Sequence, residues 1–392
     1  MNAPLRNAEV VTFGCRLNAV ESQELAKAHA SAHETVIVNT CAVTGEAARQ
    51  ARQAIRRLHR ERPQAEIIVA GCAARLDPPG FAKIEGVTRV LAEHAPNRAL
   101  ASVEGTRGLL AVQNGCDHRC TFCIIPFGRG AARSAPPAEV VAQARALVAS
   151  GKKEIVLTGV DLTSYGVDLG EGWTLGRLVR LLLRRLPELE RLRLSSIDCI
   201  EVDEDLFEAL AEDSRLCPHL HLSLQSGDDM ILKRMKRRHS RQSAIEVCRA
   251  LRKRRPDMVF GADFIVGFPT ETEEMFAATL DLVDACEFTH LHVFPFSPRP
   301  GTPAARMPQV APQIAKERAA RLREKGDAAL RRHLDAQAGR TLRLLTERGG
   351  TARAADFTLA HTPGVEAGLM IEALCTGHDE RALTTQLTAL GR

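Results

Sequence analysis

The sequence predicts an α/β protein of three parts: an amino-terminal parallel α/β domain, a central (β/α)6-type barrel and a small carboxy-terminal antiparallel β barrel. Strand-like apolar runs alternate with helical segments as far as Pro295, which is typical of parallel sheets. After Gly339 the runs become short and are separated by Gly, Asp and His, which is typical of a small β barrel such as an OB-like module. The predicted domains are residues 1–107, 108–338 and 339–392.

Composition narrows the possible functions. The chain has 392 residues, enough for two or three domains, and a net charge of +5 that permits a polyanionic partner without requiring one. One Trp and one Tyr argue against a binder of single strands built on stacked aromatics. No signal-like start or bilayer-length apolar run is visible, and eleven cysteines in such a chain favour metal ligation over disulfides. We expect a reducing, cytoplasmic setting.

In the first domain, three strand-like runs each end close to a cysteine. The pairs are Val10–Phe13 with Cys15, Thr35–Val38 with Cys41, and Glu66–Ala70 with Cys72. Helical segments at Ala19–His29 and Glu46–Arg60 separate the runs, so the strands are expected to be parallel and their carboxyl ends to meet at one edge. Buried packing remains an alternative for each thiol, but the repeated position favours an iron–sulfur cluster. No neighbouring His supports a catalytic thiol.

Six further strand-like runs predict the central barrel, partial or closed. Its strands are expected at Leu109–Val112, Glu154–Leu157, Leu192–Ser195, His219–Leu224, Met258–Ile265 and His290–Phe294. Helices are expected at Ala138–Ala149, Thr174–Arg185, Arg241–Arg254 and Glu273–Ala285, after a short helix and linker over Pro96–Arg107. The chemistry of such barrels sits at the carboxyl ends of the strands.

The first barrel strand leads into the densest cysteine motif. NGCDHRCTFC places Cys116, Cys120 and Cys123 in a C-x3-C-x2-C spacing, whereas zinc sites usually combine a C-x2-C pair with a distant second pair. Three thiolates this close can hold three irons of a cubane and leave the fourth iron open to a substrate. Three incidental thiols are the alternative. We predict a cluster here.

Polar or Gly-rich segments follow the other predicted strands. They stand at Thr158–Asp161, Ser195–Ser196, Gln225–Gly227 and Gly267–Pro269. Each alone is a routine turn, but together at successive strand ends they predict a pocket. The remaining cysteines show no ligand spacing and are interpreted as structural: Cys199, Cys217, Cys248, Cys286 and Cys375.

Basic stretches flank this predicted pocket. They are Lys233–Arg238, Arg252–Arg255 and a helical pattern over Pro312–Ala338 that carries seven Lys or Arg and four acids. A solvated helix face explains the long pattern as well as RNA contact does. Two basic clusters beside one predicted site favour a nucleic-acid substrate.

These motifs together resemble the methylthiotransferases of the radical S-adenosylmethionine (SAM) superfamily. VTFGCRLNAVES, VNTCAVTGEA and VAGCAA resemble the family's three amino-terminal cysteine motifs, and NGCDHRCTFCIIPFGRG resembles its radical SAM motif. LTGVDLTSYG, LRLSSID, LHLSLQSGDD, MKRRHSR, DFIVGFPTET and FSPRPGTPA match further family blocks, and the tail corresponds to the TRAM RNA-binding domain. The tail is divergent, Ala131 stands where Arg is frequent, and His239 stands where Tyr is frequent.

The resemblance implies two [4Fe-4S] clusters and SAM as cofactors. One cluster would be held by Cys116, Cys120 and Cys123, and the other by Cys15, Cys41 and Cys72. The first would cleave SAM to a radical that takes hydrogen from an unactivated carbon, the second would carry the inserted sulfur, and a second SAM would give the methyl group. The candidates for holding SAM are Gly159, Ser195 and Gln225.

The substrate branch follows from the first motif. GCRLNAVES and LTGVDLTSYG resemble the branch that modifies threonylcarbamoyladenosine in tRNA, rather than those acting on isopentenyladenosine or a ribosomal-protein aspartate. The implied partners are the tRNA anticodon loop and an electron donor such as flavodoxin or ferredoxin, and we expect a monomer. A non-catalytic iron–sulfur or zinc RNA-binding protein is the alternative from another class.

Overall fold

The computed structural model describes residues 6–93 and 98–390, the side chains of residues 389 and 390 excepted. The first domain is one sheet of four parallel strands in the order β1-β2-β3-β4, with helices between them. The strands are β1 Glu9–Thr12, β2 Thr35–Thr40, β3 Glu66–Gly71 and β4 Val87–Val90, and the helices are α1 Arg16–Ala28, α2 Gly45–Glu61, α3 Cys72–Leu76 and α4 Pro78–Ala82. The parallel sheet predicted from the three cysteine-ended runs is confirmed.

Apolar residues on both faces of the strands explain why this sheet is covered on both sides. Every residue of β2 is buried. Val36 and Val38 pack towards Ile55 of α2, while Ile37 packs on the opposite face. Thr44 begins α2 by accepting a hydrogen bond from the Ala47 amide at 3.1 Å. The sheet therefore holds the loops after β1, β2 and β3 at one edge.

The central domain is a partial parallel barrel. Its strands are β5 Leu100–Ser102, β6 Gly108–Ala111, β7 Gln113–Asn114, β8 Arg133–Ser134, β9 Glu154–Thr158, β10 Arg191–Leu194, β11 His219–Gln225, β12 Val259–Val266 and β13 Phe288–Pro295. Its helices are α5 Ile125–Arg129, α6 Pro137–Ala149, α7 Leu175–Arg185, α8 Glu204–Glu212, α9 Asp229–Met235, α10 Arg241–Arg254, α11 Glu273–Ala285 and α12 Pro312–Asp335. All six predicted barrel strands are confirmed.

The barrel wall consists of two hydrogen-bonded sheets. They have the orders β10-β9-β6-β5 and β11-β12-β13, and single parallel bridges such as Ile197 to Leu222 join them between β10 and β11. The short helix predicted over Pro96–Arg107 is wrong in its described part, because Leu100–Ser102 forms β5, antiparallel to β6. Pro96 and Asn97 lie outside the described residues. Buried Leu100 and Ala111 pack with Leu17 of α1. This tertiary packing, rather than the local sequence pattern, explains why the segment is a strand.

The tail is a closed barrel of five strands in the order β14-β15-β16-β18-β17. They are β14 Thr341–Glu347, β15 Thr351–Ala354, β16 Leu359–His361, β17 Met370–His378 and β18 Leu383–Leu390. The prediction of an antiparallel barrel is wrong for one pair, since β16 and β18 are parallel, with Ala360 opposite Leu383. Strands that alternate in direction can close a ring only in even number, so a ring of five needs a parallel pair. Among the described helices of the chain, none is long and apolar enough to cross a lipid bilayer.

Arginines at the start of β10 attach the tail barrel to the central domain. Arg191 is 4% exposed and donates from Nη1 to the Arg353 carbonyl at 3.0 Å and from Nη2 to the Arg343 carbonyl. Arg193, 1% exposed, pairs with Glu154 at 2.6 Å. The long helix α12 predicted over Pro312–Ala338 leads into this junction and is confirmed to Asp335.

Arg191→Ala is expected to loosen this attachment. It removes two hydrogen bonds from a charged donor, each worth roughly 1.5–3 kcal/mol, so the tail should melt or be cleaved by protease before the rest of the chain. Lys153→Ala is the matched control, because its ion pair with Glu190 is open to solvent on the lysine side and should contribute less than about 1 kcal/mol. Equal protease sensitivity of the two variants would contradict the role of Arg191.

Candidate functional site

The loop with Cys116, Cys120 and Cys123 follows the first barrel strands and is held on both sides. The amide of Cys116 donates to the Gly130 carbonyl at 3.1 Å. Gly115 has φ +74°, and a Cβ there would lie 1.9 Å from the Ala131 carbonyl oxygen, so only glycine permits this return of the chain. The amide of Thr121 donates to the Met235 carbonyl at 3.0 Å, which attaches the loop to the end of α9.

All three thiols of this loop line a cavity of about 160 Å³ at the carboxyl ends of the barrel strands. Successive strand ends supply its polar side chains: Asp161 after β9, Ser196 and Asp198 after β10, and Ser223 and Gln225 on β11. Gln225 adopts φ +76°, where the register of β11 shifts. A side chain held in the left-handed region is strained, and such strain concentrates at functional sites.

Of the three residues predicted to hold SAM, Gln225 lines this cavity. Gly159 packs against Gln113, whose Oε1 would lie 2.9 Å from a Cβ at position 159. The Ser195 hydroxyl is buried without a hydrogen-bond partner in the described chain, and its neighbour Ser196 lines the cavity instead. The roles of all three residues in holding SAM stay predictions.

Charged groups surround these thiols. Nη1 of Arg237 lies 3.7 Å from Sγ of Cys120, while Nη2 donates to Asp198 at 2.8 Å. Nδ1 of the buried His239 lies 3.4 Å from the same carboxylate. His118 lies 2.9 Å from Asp161, and the hydrogen bonds that it donates to Asp161 and Glu201 raise its pKa to about 10. Arg237 therefore places a positive charge beside the Cys120 sulfur.

As isolated groups, the thiols of the loop would be poor nucleophiles. Burial raises the pKa of Cys123 to about 11, and burial followed by the Asp161 carboxylate raises that of Cys116. Reactive cysteines need a lowered pKa, whereas a coordinated metal deprotonates a thiol outright. All eleven cysteines are free thiols. The donor set thus fits a metal cluster better than a catalytic thiol or a disulfide.

The three amino-terminal cysteines lie on neighbouring loops at one edge of the first sheet. Cys15 precedes α1, Cys41 follows β2 and Cys72 begins α3. Gly14 has φ +97°, and a Cβ there would lie 2.7 Å from Sγ of Cys41, so the loops of Cys15 and Cys41 touch. Burial raises the pKa of both Cys41 and Cys72. This second thiol set fits a metal cluster for the same reason as the first.

A second cavity, of about 260 Å³, lies at the boundary between the first domain and the barrel. The first domain contributes Val43 and Thr44 to its wall, and the cysteine loop contributes Cys123. Asp263 closes it from the barrel, where the carboxylate contacts His221 at 2.9 Å and His292 at 3.0 Å. Burial opposes the Asp263 charge, but these two imidazoles lower the pKa of Asp263 to about 2. Cys123 therefore lines this cavity, and Val43 in its wall lies two residues after Cys41 in the sequence.

Sequence reasoning missed the residue that links the two sets. Arg129, at the end of α5, is 2% exposed, and its side chain reaches into the first domain. Its acceptors are Cys72 Sγ at 3.1 Å, Glu21 at 2.8 and 3.2 Å, Asn18 at 2.5 Å and Asn114 at 2.9 Å. The available signal was a charged residue ending the apolar stretch CIIPFGR.

Many of the basic residues singled out in the sequence are bonded within the protein. The ion pairs include Arg237 with Asp198, Arg238 with Glu201, Arg318 with Glu271, Arg321 with Glu273 and Lys325 with Asp284. Arg252 and Arg255 donate to backbone carbonyls of Cys286 and Leu210. These side chains hold the barrel together. They therefore give little support to the basic stretches as a free phosphate-binding face.

Comparison with known proteins agrees with this geometry. Residues 110–283 match the radical SAM superfamily, and residues 7–92 match the uncharacterized protein family UPF0004. The threonylcarbamoyladenosine tRNA methylthiotransferase MtaB of Rickettsia prowazekii is 46% identical over 377 residues, which cover 89% of this chain and 90% of that protein. The protein of the same name from Thermotoga maritima is 35% identical, covering 88% and 87%.

Other relatives carry a different name, and solved structures share the fold. A tRNA-2-methylthio-N(6)-dimethylallyladenosine synthase of Cereibacter sphaeroides is 35% identical over 390 residues, covering 88% of each chain. The radical S-adenosylmethionine methyltransferase TsrM of Kitasatospora setae, solved with cobalamin and a [4Fe-4S] cluster, superposes with a TM-score of 0.54 at 17% identity, covering 74% of this chain and 69% of its own. That likeness concerns the fold alone.

Proposed function

Because this chain belongs to the radical SAM methylthiotransferase family, for which SAM and a [4Fe-4S] cluster are cofactors, we propose that it converts N6-threonylcarbamoyladenosine beside the tRNA anticodon to its 2-methylthio derivative. The observation that supports this choice of substrate is the 46% identity, over about nine-tenths of both chains, to a protein named for that reaction. The other named branch reaches 35%.

The residues divide the work between the two cavities. Cys116, Cys120 and Cys123 would hold the cluster that binds SAM, with Gln225 and Asp161 around the smaller cavity. When bound, these cofactors supply the radical chemistry that an aromatic C–H bond demands, because side-chain acids and bases cannot remove that hydrogen. Phe122 and Leu162 line the same cavity and exclude water from it. The protein would thus position the reactants and shield them from water, and the cofactors would supply the chemistry.

We assign a second [4Fe-4S] cluster to Cys15, Cys41 and Cys72, as the site of the inserted sulfur. The support is geometric: the cavity of about 260 Å³ is bounded by Val43, next to the Cys41 loop, and by Cys123 of the other set. A base seated there would lie beside Cys123 and near the loop that carries Cys41. We also propose that the tail barrel, residues 339–392, contacts RNA, and that a small donor such as flavodoxin or ferredoxin supplies electrons.

Nucleoside analysis tests the substrate. Purified protein, with iron and sulfide restored, is incubated with SAM, a reductant and tRNA that contains threonylcarbamoyladenosine, and the digested nucleosides are separated by mass. We expect threonylcarbamoyladenosine to convert to the methylthio form and isopentenyladenosine in a control tRNA to stay unchanged. The reverse result would refute the chosen substrate while leaving the family intact.

A further inference from the structure

A single buried guanidinium connects the two thiol sets. Arg129 lies six residues after Cys123 in the sequence, yet its side chain ends against the loops of Cys15 and Cys72 in the first domain. Gly128 makes the approach possible, because a Cβ there would lie 3.3 Å from the Cys72 carbonyl oxygen. The contact of α5 with α3 is thus tight, and it fixes where the guanidinium sits.

All five N–H groups of Arg129 have acceptors. Nη1 donates to Glu21 and Asn114, Nη2 donates to Asn18 and Glu21, and Nε donates to Sγ of Cys72. A guanidinium offers five donors in a rigid fork, so the orientation of this side chain is fully determined. Glu21, 5% exposed, is its counter-ion.

The acceptors come from both sides of the domain boundary. Asn18 and Glu21 follow Cys15 on α1, Cys72 begins α3, and Asn114 lies two residues before Cys116. Asn18 in turn donates to the Phe13 and Thr40 carbonyls at 2.8 and 3.1 Å. One side chain therefore joins the loops of Cys15, Cys41, Cys72 and Cys116 into a single network.

We propose that Arg129 is a positioning residue that fixes the amino-terminal thiol set against the SAM-binding loop and, through its N–H to Cys72 Sγ, raises the reduction potential of the cluster held there. This inference rests on the proposed amino-terminal cluster. Hydrogen bonds to cluster sulfurs and nearby positive charge stabilise the reduced, more negative state. Glu21 accepts from Nη1 and Nη2 of the guanidinium, which leaves Nε to donate to Cys72.

The test uses the full chain with Cys116, Cys120 and Cys123 all changed to alanine, so that only the amino-terminal cluster can form. Iron per chain is measured first, and the midpoint potential is then measured by a redox titration followed by electron paramagnetic resonance. Arg129→Gln is expected to shift the reduction equilibrium at least tenfold towards the oxidised form, which is about 59 mV for a one-electron couple. Glu21→Gln, which removes the counter-charge, is expected to shift it in the opposite direction.

Arg75→Gln is the matched control. Arg75 acts on the Cys72 thiol only through space, and its Nε donates to the Glu93 carbonyl at 2.7 Å. Its removal should shift the potential less than that of Arg129. If the Arg129→Gln variant binds no iron, the role of Arg129 is tested instead by the direction in which Arg129→Lys and Glu21→Gln shift the midpoint potential.

Distinct results separate the two claims. A parent protein without iron overturns the amino-terminal cluster and this inference with it. An iron-loaded parent whose potential is the same after Arg129→Gln, or shifts equally after Arg75→Gln, overturns the role of Arg129 alone. If the midpoint potential shifts in the same direction for Arg129→Gln and Glu21→Gln, the network is only a structural contact. That result also overturns the proposed role of Arg129.

Discussion

Cys120→Ala is expected to abolish formation of 5′-deoxyadenosine from SAM and to remove about four of about eight irons per chain. Cys120 supplies one of the three sulfurs at the cavity below the barrel mouth, and it is the one facing Arg237. Two remaining thiols cannot hold three irons. The loss of SAM cleavage should exceed about 100-fold, because even changes behind a metal ligand cost 10–100-fold.

Iron, sulfide and 5′-deoxyadenosine are measured together on protein purified without oxygen. Cys375→Ala is the control: this thiol is buried in the tail barrel, so the variant should keep all iron and full SAM cleavage. If Cys120→Ala still cleaves SAM, the assignment of the loop is wrong. If the parent protein holds zinc and no iron, the non-catalytic RNA-binding alternative takes its place.

Cys41→Ala is expected to separate the two halves of the reaction. The first domain would lose the cluster proposed for it, while the loop proposed to bind SAM stays in place, held by the backbone hydrogen bonds of Cys116 and Thr121. SAM cleavage should therefore persist within a few-fold, and the methylthio nucleoside should fall below detection, a loss of at least about 100-fold.

The readouts are 5′-deoxyadenosine and methylthio nucleoside from the same reaction mixture. Cys199→Ala, which changes another buried thiol, should lower neither one specifically. Formation of the methylthio product by Cys41→Ala would show that sulfur does not come through the first domain. Loss of both products would mean instead that the two thiol sets depend on each other to fold, which iron content and thermal unfolding would reveal.

Much of the fold could be predicted from local text. The strand runs and the helices between them follow apolar periodicity, and a parallel sheet places its carboxyl strand ends together. For that reason Cys15, Cys41 and Cys72 could be grouped without coordinates, and Gln225 could be placed at the pocket. The prediction failed at Leu100–Ser102, a strand formed by pairing with β6 and packing on α1.

The order of the elements and the grouping of the six cysteines could be predicted, because strand periodicity and cysteine spacing are properties of neighbouring residues. The partners of the charged residues became visible only in the folded chain. Arg237 and Arg318 read as parts of basic stretches but are buried ion-pair partners of Asp198 and Glu271, and Arg129 meets Glu21 across 108 residues. Ion pairs join residues that are close in the folded chain but distant in the sequence, so local sequence patterns do not predict them.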